Sequence, residues 1–351
     1  MDFEQDNNQT EPLQPQSSEP TPQWARNIPS AASMPKKRTG WRIFWGIITA
    51  LSVLANIALF LMVIGLAAVF MTGQKDSLTE EVVQAGSRTS KIAVITLQGI
   101  IDDKQAQDVY KQIKSARSDK QIKGLILRVN SPGGTVSGSD RICNEIRKYR
   151  KEEGKPVVAF MQGVAASGGY YVSVGCDQIV AEPTVITGSI GVIAGHFVLQ
   201  QLLEEKLGIQ PAVFKSGEKK DWPSPFQQVT EEQRQYVQDK LITPAYNRFV
   251  QIIDEGRETL TLADVKRLAD GSIYGADEAL NEKLIDKIGY MDEAVEQVKL
   301  LAGIENAQVV EYREPFSLAD FLNSRGSNML KIDKSTLYEL GTPQVLYLWS
   351  L

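Results

Sequence analysis

The sequence predicts an α/β domain behind a single membrane-spanning helix. Two patterns carry this: apolar runs that alternate with amphipathic stretches from Lys91 onward, and one uninterrupted apolar segment before them. A third observation agrees: Gly-rich turns, among them "NSPGG" (130–134), fall where strands should end. With 351 residues, 42% of them apolar, the chain can bury one large core or two ordinary ones.

Residues 1–39 are rich in Gln, Pro, Ser and Glu and lack apolar periodicity, the composition of a disordered tail. From Ile43 to Gln74 no side chain is charged. The run "IFWGIITALSVLANIALFLMVIGLAAVF" exceeds the roughly 20 apolar residues that a spanning helix needs. Residues 40–73 are therefore expected to cross the membrane. Lys36, Lys37, Arg38 and Arg42 precede the span and mixed charges follow it, so the positive-inside tendency leaves the N-terminus cytoplasmic and the rest across the bilayer. Residues 74–90 are expected as a linker or stalk.

Next, "KIAVITLQGII" is expected as a strand, "AQDVYKQIKSARS" as a helix, "KGLILRVNSPGG" as a strand ending in a turn and "RICNEIRKYRKEEG" as a helix. "PVVAFMQGVAA" and "SGGYYVSVGC" repeat the strand and helix. Regular succession of this kind means largely parallel strands. "QIVAEP", "GSIGVI" and "PAVFKSG" continue as short runs, a helical zone spans Glu231 to about Gly256, and "LADVKRLADGSIYGADEALNEKLIDKIG" is expected as two helices around a Gly-marked turn. The catalytic-sized domain covers 91–305, and 306–351 form a weakly patterned C-terminal segment, an interface or partly ordered.

Charge and composition exclude several functions. A net charge of −5 without a clustered basic surface argues against nucleic acid as a partner. One histidine and no ligand-spaced carboxylates argue against a metal site. Cys143 and Cys176 lie in apolar helical contexts and suit core thiols.

The residues with chemistry cluster at the turns. Ser167 stands where a strand gives way to a helix, among Ala165, Ala166, Gly168 and Gly169. That position suits a helix cap as well as a nucleophile held outward on a tight turn. In "NSPGG" the two glycines let a strand end turn sharply and aim N–H groups at a ligand, although an ordinary turn has the same composition. A base for the serine is either His196 or one of Lys215, Lys219 and Lys220 in "FKSGEKKDWPSPF". A lysine, ordinarily near ~10.4, serves as a base at neutral pH only when burial or a cationic neighbour supplies about 4 kcal/mol.

Taken in order and spacing, "LRVNSPGG", "VAASGGYYVSVGCDQIVAEPTVITGSIGVI" and "KSGEKKDWPSPF" resemble the signal peptide peptidase A family of membrane-bound serine peptidases, over about Lys91 to Val298. The length resembles the short, single-domain form. The resemblance implies a Clp/crotonase-like fold of repeated β-β-α units in a superhelix, and a Ser-Lys dyad without cofactor or metal. It implies Ser167 as nucleophile, Lys220 as base, Ser189 of "TGSIG" as the hydroxyl that orients the lysine, and the amides of Gly134 and Gly168 as oxyanion hole. Lys219 and His196 stand as alternative bases. It further implies a homo-oligomer in which one protomer's lysine completes its neighbour's site, in a bacterial cytoplasmic membrane, with substrates that are hydrophobic peptides such as cleaved signal peptides. Ser272 stands where the family usually has arginine, which leaves the local C-terminal detail open. Competing readings are a Ser-His peptidase of Clp type, a crotonase-type acyl-CoA enzyme holding an enolate on paired amides, and an inactive membrane scaffold.

Overall fold

The computed structural model describes residues 39–72, 78–313 and 344–349. The expected tail, 1–38, lies outside them. The chain divides into two units, Met1–Met71 and Thr72–Leu351.

In the first unit, α1 (Thr39–Thr72) is one continuous helix of 34 residues. Its stretch Gly40–Leu66 has mean hydropathy 2.6 and exposes its apolar side chains throughout, so it is long and apolar enough to cross a bilayer.

The second unit is built on a nine-stranded sheet. Its centre is parallel: β2 (Lys91–Gln98), β3 (Ile122–Ser131), β5 (Val157–Ala166) and β6 (Gln178–Ala181) lie side by side. The short β10 (Lys287–Ile288) extends one edge, and β11 (Gln308–Arg313) flanks β2 on the other. Residues 79–84, expected in a linker, instead form the edge strand β1 (Thr79–Gln84), antiparallel to β11. The alternation T-E-E-V-V-Q lacks a buried face, so only the partner's free edge makes it a strand; all six residues are exposed.

Successive side chains of the central strands go to opposite faces, and both faces are buried. Ile92, Val94, Ile126, Val158 and Phe160 pack against Ala294, Val295 and Val298 of α9 (Met291–Ala302). Ala93, Ile95, Leu97, Leu125 and Leu127 belong to the larger core with α2 (Asp103–Ser118) and α3 (Val136–Glu153), through Val109, Ile113, Ile142 and Ile146. Each helix is locally encoded. Asp102 caps α2 by accepting the Gln105 N–H at 2.7 Å, Thr135 caps α3 by accepting the Gly138 N–H at 3.1 Å, and Gly154 ends α3 in the left-handed region.

A β-β-α repeat is visible in the connections. After β2 a single bridging residue, Ile101, pairs with Gly134 before α2 begins; β3 is followed by the short β4 (Gly133–Thr135) and α3. The strand β5 does both jobs itself. Its first half pairs with β6, then a register shift between its pairings to Val129 and Ser131 inserts Gln162 and Gly163, and its second half pairs with β7 (Ile186–Gly188) before α4 (Gly168–Ser173).

Two expectations need correction. "PAVFKSG" is not a strand: 211–217 are exposed or half-buried and carry no regular structure. The "DGSIYGADEA" turn holds a strand, β9 (Ile273–Gly275), between α7 (Leu262–Leu268) and α8 (Ala276–Asn281), paired antiparallel with β7. Its three residues gain ladder bonds that a turn would not. The helical zone is α5 (Glu231–Val237) and α6 (Thr243–Gly256), joined by a π-helical turn. In the C-terminal segment, β12 (Gln344–Leu348) lies between β4 and β8 (Ile193–Gly195) in a second, three-stranded sheet.

Arg257, which ends α6 and is buried, ties that helix to the turn after α8. Its guanidinium donates twice to the Lys283 carbonyl, at 2.9 and 2.7 Å, and once to Asp286 at 2.8 Å. The same turn supplies the Leu284 carbonyl to the buried Tyr170 hydroxyl at 3.0 Å, and Asp286 accepts the Ile179 N–H at 2.7 Å. Arg257→Ala leaves the Lys283 carbonyl without its two guanidinium donors and Asp286 without its ion-pair partner, and is expected to cost about 3 kcal/mol, read as a lowered denaturation midpoint of the detergent-solubilised chain.

Candidate active site

The carboxyl ends of β3, β5 and β7 are followed by turns that carry Gly134, Ser167 with Gly168, and Ser189. Ser167 follows β5 with φ 52° and ψ −114°. A non-glycine residue at positive φ is strained by about 1–3 kcal/mol, and such strain concentrates at functional sites. The sharp turn aims the side chain away from the helix behind it: Ser167 occupies the N-cap position of α4 but makes no capping hydrogen bond. Its backbone is pinned on both sides. The amide donates to the Gly188 carbonyl at 2.7 Å, and the carbonyl accepts the Tyr171 N–H at 2.8 Å.

Ser189 is brought alongside. Ala166 pairs with Gly188, so Ser167 and Ser189 are the next residues on two neighbouring parallel strands, whose spacing is about 4.8 Å. Ser189 also has positive φ, 49°, and is buried. It is held by its amide, which donates to the Ser272 carbonyl at 2.6 Å, while Gly271 N–H donates to the Ile190 carbonyl at 3.1 Å. Position 272 therefore serves the site through its backbone, which is indifferent to the side chain there. This contact escapes sequence reasoning because a carbonyl leaves no trace in residue type.

Gly134 faces the same crevice. On one side of β4, Gly133 C=O accepts the Ile101 N–H at 2.8 Å and Thr135 N–H donates to the Ile101 carbonyl at 2.7 Å. The N–H of Gly134 therefore points to the other side, toward β12. There Trp349 N–H donates to the Pro132 carbonyl at 2.8 Å, which makes Tyr347 and Gly134 the next closely spaced antiparallel pair. The Tyr347 carbonyl thus lies against Gly134 N–H and beside Gly168. A β-carbon on Gly133 would stand 2.0 Å from that carbonyl oxygen and 2.7 Å from the Gly168 nitrogen; one on Gly168 would stand 2.5 Å from Ser139 Oγ. Only glycines allow the two turns and the strand to meet so closely. The Gly168 amide belongs to the first turn of α4, where the helix supplies no acceptor.

The expected bases are not joined to Ser167 by any hydrogen bond or ion pair among the described residues. Lys220 lies exposed in the 3-10 turn Glu218–Asp221, and its ammonium has no hydrogen-bond or ion-pair partner among the described residues. Lys215 is committed to Asp221 at 2.8 Å and to the Glu218 carbonyl at 3.0 Å. Lys219 is likewise engaged, 4.8 Å over the Trp222 ring, 5.3 Å over the Tyr236 ring and 3.3 Å from Glu232. His196 follows β8 one residue beyond the Gly195–Gln344 pair, and that pair already lies three residues along β12 from Tyr347, roughly 10 Å at the rise of a strand.

Burial pushes the Cys143 thiol up to about 12 and the Cys176 thiol well above its ordinary value, so neither is a competing nucleophile. No cluster of three metal-ligating side chains exists among the described residues. A cavity of about 490 Å³, lined by Arg147, Arg150 and Lys151 among others, contains none of the residues predicted for the site.

Comparison with known proteins places the chain in a family. A model described as Peptidase family S49 matches residues 149–305, and a Clp protease model matches 77–181; Ser167 lies in both. The chain is 37% identical over 249 residues to a putative signal peptide peptidase SppA of Enterococcus faecium, covering 68% of this chain and 71% of that one. It is 31% identical over 239 residues to Protease 4 of Haemophilus influenzae, and 30% identical over 272 residues to the chloroplastic serine protease SPPA of Arabidopsis thaliana. Those matches cover 66% and 76% of this chain, but only 37% and 39% of the two relatives. With an α/β sheet of Clp type, a strained serine at a strand end and relatives of this similarity, the chain belongs to peptidase family S49, the signal peptide peptidase A family of serine peptidases.

Proposed function

We propose that Ser167 is the nucleophile of a Ser-Lys peptidase, with Lys220 as general base, Ser189 orienting the lysine amine, and the amides of Gly134 and Gly168 holding the oxyanion. The observation that carries this reading is the Tyr347 carbonyl, held against Gly134 and Gly168 at the turn where Ser167 is strained off its capping position. A substrate carbonyl in that place would meet two amide donors as negative charge develops on its oxygen. Ser167 Oγ adds to the carbonyl carbon while its proton passes to the lysine amine. The lysine then returns the proton to the departing amine, and water releases the acyl group by the same steps in reverse order.

Lys220 is favoured over Lys219 because it alone of the two is uncommitted, whereas Lys219 is bound to two rings and a carboxylate. An ammonium surrounded by water is a poor base, so the mechanism requires a second protomer to enclose the lysine-bearing turn. The exposed apolar side chains that flank it, Phe214 at 97% exposure, Val213 and Ile209, suit such a contact. A homo-oligomer with shared sites follows. His196 is disfavoured by its distance along β12.

The substrates are proposed as hydrophobic peptides released in the membrane, cleaved signal peptides among them. The support is α1, which would keep the site beside a bilayer, and the name borne by the Enterococcus faecium relative. The basic residues before α1 favour a cytoplasmic N-terminus in a bacterial inner membrane, with residues 91–305 as the peptidase domain across it.

Two measurements test this. A fluorophosphonate probe on the solubilised oligomer is expected to modify Ser167, read by peptide mapping; an adduct elsewhere, or none, overturns the assignment. Ser167→Ala and Lys220→Ala are each expected to lower kcat roughly ten-thousandfold and Ser189→Ala about a hundredfold, with Lys219→Ala and His196→Ala near wild type. Co-assembled Ser167→Ala and Lys220→Ala chains should regain part of the activity; if the mixture stays inactive, the shared site fails.

A further inference from the structure

β5 changes partners at one point, and a single side chain stands there. Met161 is the last residue paired with β6, opposite Ala181, and Val164 is the first paired with β7, opposite Ile186. Gln162 and Gly163 lie between them, with Gly163 in the left-handed region at φ 62°. Residues inserted into a strand lose their place in the ladder, so their amides need acceptors from elsewhere. The chain that joins β6 to β7 is short, Glu182 to Val185, and its first residue meets the insertion.

Glu182 holds β5 on both sides of the change. Its amide donates to the Met161 carbonyl at 3.0 Å, which continues the β6 register past the end of that strand. Its carboxylate accepts the Gly163 N–H at 3.3 Å and the Gln162 side-chain amide at 3.2 Å. Its carbonyl accepts the Val185 N–H at 3.1 Å and so closes the turn into β7. Past this junction Thr187 Oγ1 donates to the Ala165 carbonyl at 2.7 Å, and Ser167 and Ser189 follow directly after the last pair of the two strands.

We infer that Glu182 is a positioning residue for the reaction: its carboxylate fixes the inserted pair Gln162–Gly163, and with it the register that sets Ser167 beside Ser189. This rests on Ser167 being the nucleophile. Glu182 touches neither serine and acts through the backbone of β5 alone. A slip at the insertion moves Ser167 along β7, and a displacement of about 1 Å at a reacting group costs about a hundredfold in rate. The Gly163 amide needs an acceptor oxygen at the right reach, not a charge. Glutamine supplies that oxygen at the same length, and Gln162 can turn its own amide to meet the new N–H; aspartate is one methylene too short.

The test uses the full-length, solubilised protein, an apolar peptide coumarin amide and a fluorophosphonate probe, with the variants Glu182→Ala, Glu182→Gln and Glu182→Asp. Glu182→Ala is expected to lower kcat and the rate constant for labelling Ser167 together, each about a hundredfold, with KM within about twofold of wild type. Glu182→Asp is expected to fall with it, and Glu182→Gln to stay near wild type. A smaller folded fraction lowers the amplitude of labelling and leaves its rate constant alone, so amplitude loss at an unchanged rate constant overturns the role. Should Glu182→Ala fail to fold, the other two variants decide: equal rate constants for Glu182→Gln and Glu182→Asp, whether high or low, overturn it. In all these cases the probe still marks Ser167 of the unaltered protein. Absence of that adduct overturns the nucleophile and its positioning residue together.

Discussion

Everything at the site depends on one strand changing partners. β5 begins beside β6 in the middle of the sheet and ends beside β7, and the two residues inserted at Gln162 and Gly163 make the change possible. Without that shift, Ala166 would not pair with Gly188, and Ser167 and Ser189 would emerge on different strands' ends with no shared surface. The strain at both serines is the local consequence. Their backbones are over-determined by ladder bonds before them and by the Gly188 and Ser272 carbonyls beside them, which is the condition under which positive φ persists at residues with a β-carbon.

The second constraint is steric. The β3 turn and the β5 turn touch through Gly133 and Gly168, and a strand passes within hydrogen-bonding reach of both. Small residues there are often explained by turn geometry alone, but the distances show a different reason: the space is taken by backbone, and backbone cannot move aside. The same closeness gathers amide donors around one carbonyl, so the atoms that satisfy the packing requirement are also those that the proposed oxyanion hole would use.

The two turns are held differently. The Ser167 turn is fixed by backbone bonds to the Gly188 carbonyl and from the Tyr171 amide, whereas the turn that carries Lys220 is exposed and held by local pairs such as Lys215 with Asp221. Asp221, whose carboxyl the Lys215 bond holds below the usual range, shapes the turn and leaves Lys220 projecting from it.

Much of this was legible in the residues. The alternating apolar runs, the caps at Asp102 and Thr135 and the glycine turns all act through local rules, so strands β2, β3 and β5, the helices after them and the apolar α1 follow from sequence, and the motif spacing with its family resemblance pointed to Ser167, Gly134 and Ser189. What sequence missed depends on partners far along the chain. β1 and β9 are strands because β11 and β7 offer them free edges, "PAVFKSG" has β-like composition and no edge to join, and the Ser272 carbonyl acts through an atom common to every residue. Sequence by itself determined the elements and the candidate chemistry, since periodicity and side-chain type are local properties. Only the tertiary structure decided that two strained serines share one crevice and that Lys220 rather than Lys219 is uncommitted, because each of these is a meeting of residues that only packing brings together.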